Sequence, residues 1–254
     1  VKTKIVSARK RMLELHFQSG VGHVGGNLSC LDALMVLFHR VMRPEDRFVL
    51  SKGHAAGALY VTLWSLGRLE EPLESFHRDA TLLAGHPPAK GLKEVLFASG
   101  SLGHGLPFAA GLALAARLKK ETRRVFCLTS DGEWQSGPNW EALIFAAHRR
   151  LGHLTVLVDA NRLQAFGATA EVASLDPLGP KFQGFGVETI EVDGHDPEAV
   201  EAALVKPEGG QVRAVLLNTV KGKGVRAFEN QVASHYLPLD QETFQTAMDD
   251  LTSW

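Results

Sequence analysis

Between residues 124 and 220 the chain alternates apolar runs with segments of helical spacing, and this alternation limits the fold more than any other feature. "RVFCLTS" (124–130), "LTVLVDA" (154–160), "VETIEV" (187–192) and "VRAVLLNTV" (212–220) read as strands, with helices expected over 138–151, 177–184 and 196–205. Strands this apolar must be covered on both faces, which predicts an α/β fold with a parallel sheet between two helical layers. Upstream, "RFVLS" (47–51) adds a short strand, and 4–18, 29–40, 55–67 and 106–121 have helical spacing. The last of these helices ends in cations, which suit the negative end of its dipole. A Gly/Pro-rich patch covers 84–91, and no repeat, low-complexity tract or linker divides the chain, so residues 1–254 are expected to form one domain.

With 254 residues, 45% of them hydrophobic, and a formal charge of -1, the chain can bury one large core. It has no basic excess to recruit nucleic acid or an anionic membrane. The N-terminal "VKTKIVSARKRMLELHFQSG" reads as an amphipathic helix and not as a signal peptide, and no run has membrane-spanning length. Cys30 and Cys127 sit far apart in apolar surroundings and read as buried free thiols, so the expected compartment is the reducing cytoplasm.

In an open parallel sheet ligands gather beyond the carboxyl ends of the strands. Asp131 follows one such end and Asn161, thirty positions later, follows the next. A carboxylate, an amide oxygen and a backbone carbonyl such as that of Leu163 form a hard, incomplete oxygen set, suited to Mg2+ or Ca2+ completed by water and phosphate oxygens. Gly132 lets backbone approach a diphosphate, and the helix that follows adds a favourable dipole. Taken singly, Asp–Gly after a strand is also an ordinary turn, and Asn after a strand is also a cap.

The spacing joins them, because "SDG" followed by "DAN" resembles the metal-diphosphate motif of thiamine diphosphate enzymes. "GHVGGNLS" (22–29), "LSKGHAAGALY" (50–60), "GHPP" (85–88), "SGSLGHGLPFAAGLALA" (99–115), "DGEWQSGPNWEALIFAAHRRLGHLTVLVDANRLQAFG" (131–167), "VDGHD" (192–196) and "NTVKGKG" with "SHY" (218–236) resemble transketolase in the same order. The likeness covers nearly the whole chain and is greatest to the N-terminal subunit of split transketolases. It implies the thiamine diphosphate-binding fold and transfer of a two-carbon ketol unit from a ketose to an aldehyde.

The resemblance also implies site residues. Asp131, Asn161 and the Leu163 carbonyl would hold Mg2+, or Ca2+ or Mn2+ in its place; Gly132 and Glu133 belong to the same diphosphate-binding segment. Gly100, Ser101, Leu102 and His104 would line the cofactor near its rings. His54 and His235 would stand beside the diphosphate and the reacting centre, and His23 and His86 would meet the hydroxyls of the donor. Imidazole suits these roles on chemical grounds as well, since ketol transfer moves protons on and off hydroxyls. His195 reads as structural in a turn before a helix and His153 as structural at a helix exit, and His16, His39, His77 and His148 as helix-borne and structural. The lysines of "KGKG" (221–224) suit either phosphate binding or a solvated loop.

The family's activating glutamate lies in a pyrimidine-binding domain, and no segment after Trp254 encodes one. The expectation is therefore a separate C-terminal subunit carrying that glutamate, in a heterotetramer of two copies each, with "WEALIFAAH" (140–148) as interface or as core. Ser130, Ser136, Val24 and His104 depart from the family pattern, which points to a specialised sugar or sugar phosphate. Two alternatives stand beside this reading: a deoxyxylulose-phosphate synthase-like subunit, and a degenerate subunit that binds a partner without chemistry.

Overall fold

Four of the five strands anticipated from the sequence carry side chains that disappear from solvent, and they form the centre of the molecule. In the computed structural model, which describes residues 1–88, 90–205 and 210–252, the strands are β1 (Arg47–Leu50), β2 (Val125–Ser130), β3 (Leu154–Ala160), β6 (Glu188–Asp193) and β7 (Arg213–Asn218). They lie parallel in the order β1-β2-β3-β7-β6. Edge strand β6 is the exception to burial: Glu191 and Asp193 are exposed and its other four residues are only half-buried. A two-residue hairpin, β4 (Leu163–Gln164) with β5 (Gly167–Ala168), stands apart from this sheet and was not anticipated.

Period-two alternation along the strands feeds two hydrophobic layers. Phe126, Leu128, Leu157, Val215 and Leu217 face a layer built with α1 (Lys2–Ser19), α2 (Val24–Val36), α3 (Ala56–Ser65) and α8 (Pro197–Leu204). Val125, Cys127, Val156, Val158 and Ala214 face the other, against α4 (Gly105–Leu118), α5 (Gly137–His148) and α7 (Leu178–Gly184). The short α6 (Thr169–Ala173) follows the hairpin, and α9 (Gln241–Asp250) closes on α1 through stacked Phe17 and Phe244 rings 4.3 Å apart.

Helix α2 begins five residues before its anticipated start and is buried on every side, so it carries no amphipathic signal by which to place its first turn. It runs into a π-turn at Leu37–Val41. His77, anticipated on a helix, instead occupies a turn with φ 58°. Cys30 and Cys127 are free and buried, as anticipated.

Candidate active site

The parallel register makes the carboxyl ends level: Ser130 lies beside Asp159, and Ala160 beside Asn218. Four strands therefore deliver their following residues to one edge. Ser51, Lys52 and His54 come after β1, Asp131 and Gly132 after β2, Asn161 and Leu163 after β3, and Thr219 and Lys221 after β7. A cavity of about 240 Å3 opens there. His23, His54, His86, His235, Gly100, Leu102, Asp131, Gly132, Asn161 and Leu163 line it, together with Lys221.

The four histidines come from distant parts of the chain and form one cluster. The His23 ring centroid lies 5.8 Å from that of His54, 5.9 Å from His86 and 5.0 Å from His235, and His54 and His235 are 5.5 Å apart. His23 precedes α2 at φ 66°, and its N–H donates to the His235 carbonyl at 3.0 Å, tying the two segments together. Burial is the first cause pushing each ring below the ordinary imidazole value. Lys221 and His23 add to it at His235, which falls to about 3; Lys52 and His235 add to it at His54, which lies well below the ordinary value. His23 is lowered further by His86, and His86 by His77. At neutral pH the four rings are uncharged, each with one N–H and one lone pair.

Asp131 caps the turn after β2: one carboxylate oxygen accepts from the Gly132 N–H at 2.7 Å and the other from the Arg162 N–H at 2.5 Å. Burial, then the neighbouring Asp159, push its carboxyl up to about 6. The Asn161 Oδ1 accepts from the Leu163 N–H at 3.0 Å, while its Nδ2 donates to Asp159 at 3.1 Å. Asp159 is fully buried and saturated. It also accepts from Ser29 Oγ at 2.6 Å, Thr219 Oγ1 at 2.5 Å and the Lys52 ammonium at 2.5 Å. Burial works against both charges of the Lys52–Asp159 pair, but their attraction prevails, holding the ammonium above the ordinary lysine value and the carboxyl below its own. This hub orients the Asn161 amide, because only the NH2 end can face a carboxylate.

Lys221 is 2% exposed, and its ammonium donates to the Leu163 carbonyl at 3.2 Å and lies 3.1 Å from His235 Nδ1. Burial, then Lys52, push it down to about 8. Three residues anticipated at the cofactor do not line the cavity. Ser101 and His104 are exposed on the adjoining loop, with His104 Nδ1 3.1 Å from the Leu102 carbonyl. Glu133 is fully buried away from the cavity, where it accepts from the Gly103 N–H at 3.0 Å, the Ser130 N–H at 3.1 Å and the Ser51 hydroxyl. It supports the loops from behind because the 3-10 turn Gly132–Gln135 rotates it inward. A larger groove of about 710 Å3, lined by Arg43, Asp46, Arg47, Arg68 and Glu94 among others, lies at the start of β1. Ion pairs occupy part of it, Arg68–Glu94 at 2.7 Å and Asp46–Arg124 at 2.6 Å, and none of the anticipated site residues lines it.

Residues 2–252 match the family described as the thiamine diphosphate-binding domain of transketolase. The chain belongs to the transketolase family. It is 38% identical over 255 residues to the 6-deoxy-6-sulfo-D-fructose transketolase subunit SqwG of a Clostridium species, covering 96% of this chain and 93% of that one. One of the subunits of the apulose-4-phosphate transketolase of Actinobacillus succinogenes is 34% identical over 264 residues, covering 99% and 95%. The crystal structure of transketolase from Campylobacter jejuni superposes with a TM-score of 0.86 at 27% identity, covering 98% of this chain and 42% of that one. The chain thus spans about two fifths of that longer transketolase and nearly the whole of the two separate subunits.

The cavity's chemistry suits the transketolase cofactor. A Cβ on Gly132 would lie 2.9 Å from Gln164 Cβ, so glycine is needed where the β2 turn passes the hairpin. Asp131, Asn161 and the Leu163 carbonyl are hard oxygen donors, and the buried carboxylate of Asp131 beside Asp159 concentrates negative charge that a cation would relieve. Among the described residues no group of three His, Cys, Asp or Glu side chains is arranged to hold a metal ion. A set of one carboxylate, one amide and one carbonyl fits a cation that takes its remaining oxygens from phosphate and water.

Proposed function

We propose that this chain is the diphosphate-binding subunit of a two-subunit transketolase that moves a two-carbon ketol unit from a specialised ketose to an aldehyde acceptor. The observation that carries the proposal is the cavity itself, in which four uncharged imidazoles surround an edge bearing Asp131, Asn161 and the Leu163 carbonyl. When bound, thiamine diphosphate supplies an electron sink for breaking and remaking the carbon–carbon bond beside a ketose carbonyl.

In this reading Asp131, Asn161 and Leu163 hold Mg2+, with Ca2+ or Mn2+ as substitutes, and Lys221 gives the diphosphate a charge-assisted hydrogen bond. Gly100 and Leu102 line the wall beside the cofactor rings. His23 and His86 accept hydrogen bonds from donor hydroxyls, and His54 and His235 stand where a proton must leave a hydroxyl and return. Because burial keeps the rings neutral, each can accept a proton without first losing one. Ser101, His104 and Glu133 act through the loops they belong to.

Two relatives that match over nearly their whole length are named as subunits for a sulfosugar and for apulose 4-phosphate, which favours a separate partner and a substrate outside the common pentose phosphates. The partner in this reading is a C-terminal subunit with the pyrimidine-binding domain and its glutamate, two copies of each chain forming the assembly. No helix among the described residues is long and apolar enough to cross a membrane, and the two free thiols suit the cytoplasm.

The test is reconstitution with the C-terminal subunit and a donor panel of 6-deoxy-6-sulfofructose, apulose 4-phosphate and xylulose 5-phosphate, with ribose 5-phosphate among the acceptors. Turnover that needs both subunits and favours a specialised donor is the expected result. Turnover of xylulose 5-phosphate with ribose 5-phosphate at ordinary transketolase rates would overturn the substrate class.

A further inference from the structure

The segment carrying Lys221 is gripped from both ends by two side chains that meet at one buried carboxylate. Asp32, on α2 and 3% exposed, accepts from Arg9 Nη2 at 2.5 Å and from His195 Nδ1 at 2.7 Å through the same oxygen. The far side of the His195 ring then accepts the Val220 N–H at Nε2, at 2.9 Å. Arg9, through Nη1, donates to the carbonyl of Lys223. Between these points Gly222 turns at φ 80°, where a Cβ would collide with the Phe228 carbonyl, and its N–H is fixed to the Gly25 carbonyl at 2.9 Å. The carboxylate and the N–H together determine one imidazole tautomer, with the proton on Nδ1.

We infer that Asp32, His195 and Arg9 form a clamp that aims the Lys221 ammonium at the cofactor's diphosphate, so that His195 is a positioning residue of the active site and not only a turn residue. The inference rests on the assignment of Lys221 to the diphosphate made above. A lysine has four rotatable side-chain bonds, and its ammonium is useful at one point only if the backbone behind it is fixed. His195 fixes that backbone one residue before Lys221, and Arg9 two residues after it.

The test is a double-mutant cycle on thiamine diphosphate affinity in Mg2+, measured by titration calorimetry on the two-subunit complex, with melting curves to establish folding. Lys221→Met is expected to weaken binding roughly tenfold to a hundredfold. His195→Leu alone should weaken it about tenfold, and should add less than about twofold once Lys221 is already Met. His195→Gln, whose amide can both donate to Asp32 and accept from Val220, should restore binding, which a loss of general packing would not allow. If His195→Leu does not fold, Asp32→Asn replaces it in the cycle, with the same expectation. Unchanged affinity in Lys221→Met would overturn the assignment of Lys221 and the clamp with it. Weakened binding in Lys221→Met, with no loss in the clamp variant or with fully additive losses, would overturn the clamp alone.

Discussion

Along β3, Leu154, Val156, Leu157 and Val158 vanish into the two hydrophobic layers, whereas Asp159 and Asn161 are as deeply placed but are held by hydrogen bonds and an ion pair. The same change of material occurs along β2, from Val125 and Phe126 to Ser130 and Asp131. At the amino end, burial of apolar surface stabilises the sheet whichever side chains supply it, provided volume is conserved. At the carboxyl end each polar group is tolerable only because a particular partner satisfies it. One sheet thus carries a permissive end that sets stability and an exacting end that sets chemistry.

Breaking one partner should expose the difference most strongly. Lys52→Met leaves the Asp159 charge buried and unpaired and should cost about 3–5 kcal/mol in urea unfolding. Adding Asp159→Asn, which removes the charge but keeps an acceptor oxygen for the Ser29, Thr219 and Asn161 donors, should recover part of that loss, while Leu157→Ala at the apolar end should lose about 2–5 kcal/mol that no single second change restores. A double variant no more stable than Lys52→Met would contradict the distinction.

A pH series examines burial with only one ring nitrogen held, because His16 Nδ1 lies 3.3 Å from the Val21 carbonyl while its Nε2 is buried without a partner among the described residues. His16 on α1 is 1% exposed, and burial pushes its imidazole down to about 4. Because the folded value lies below the unfolded value of about 6.5, its contribution is fully present above pH 6.5 and is lost as pH falls toward 4, up to about 3 kcal/mol. Urea midpoints should fall over that window, and His16→Gln should flatten the slope.

A smaller effect, of opposite sign, is expected at the exacting end. Asp131→Asn removes a buried charge beside Asp159 and should stabilise the cofactor-free chain by about 1 kcal/mol while abolishing metal-dependent cofactor binding. A loss of stability in that variant would show that Asp131 serves the fold before the site. The smallest change is expected on the outer face of α5. Ile144 is 46% exposed there, and Ile144→Ser should move the unfolding free energy of the isolated chain by less than about 0.5 kcal/mol.

The permissive end was legible because its signals are local. Apolar runs placed all five sheet strands and most helices to within a few residues, and "WEALIFAAH" proves to be both core and surface, with Leu143 buried and Ile144 and Phe145 exposed. The exacting end was legible only in part. Asp131, Gly132, Asn161, Leu163 and the four cavity histidines could be named because their motifs recur at set spacings. Lys52 and Asp159 are 107 positions apart and form one ion pair, which no periodicity encodes. Lys221 could be read equally as a phosphate ligand or as a cation of a solvated loop, although the glycine after it was a sign that its backbone passes close to another segment. Glu133 is next to Asp131 and Gly132 in sequence but is turned inward by a single 3-10 turn, which proximity along the chain does not reveal.

The central claim is that the cavity is a thiamine diphosphate site completed by a second subunit. Isothermal titration of thiamine diphosphate with Mg2+ into this chain, alone and mixed with its C-terminal subunit, tests it most directly. The account predicts tight binding that appears or strengthens only in the mixture and disappears with Asp131→Ala. A complex that forms but binds no cofactor would contradict it and leave the chain a partner-binding subunit without chemistry.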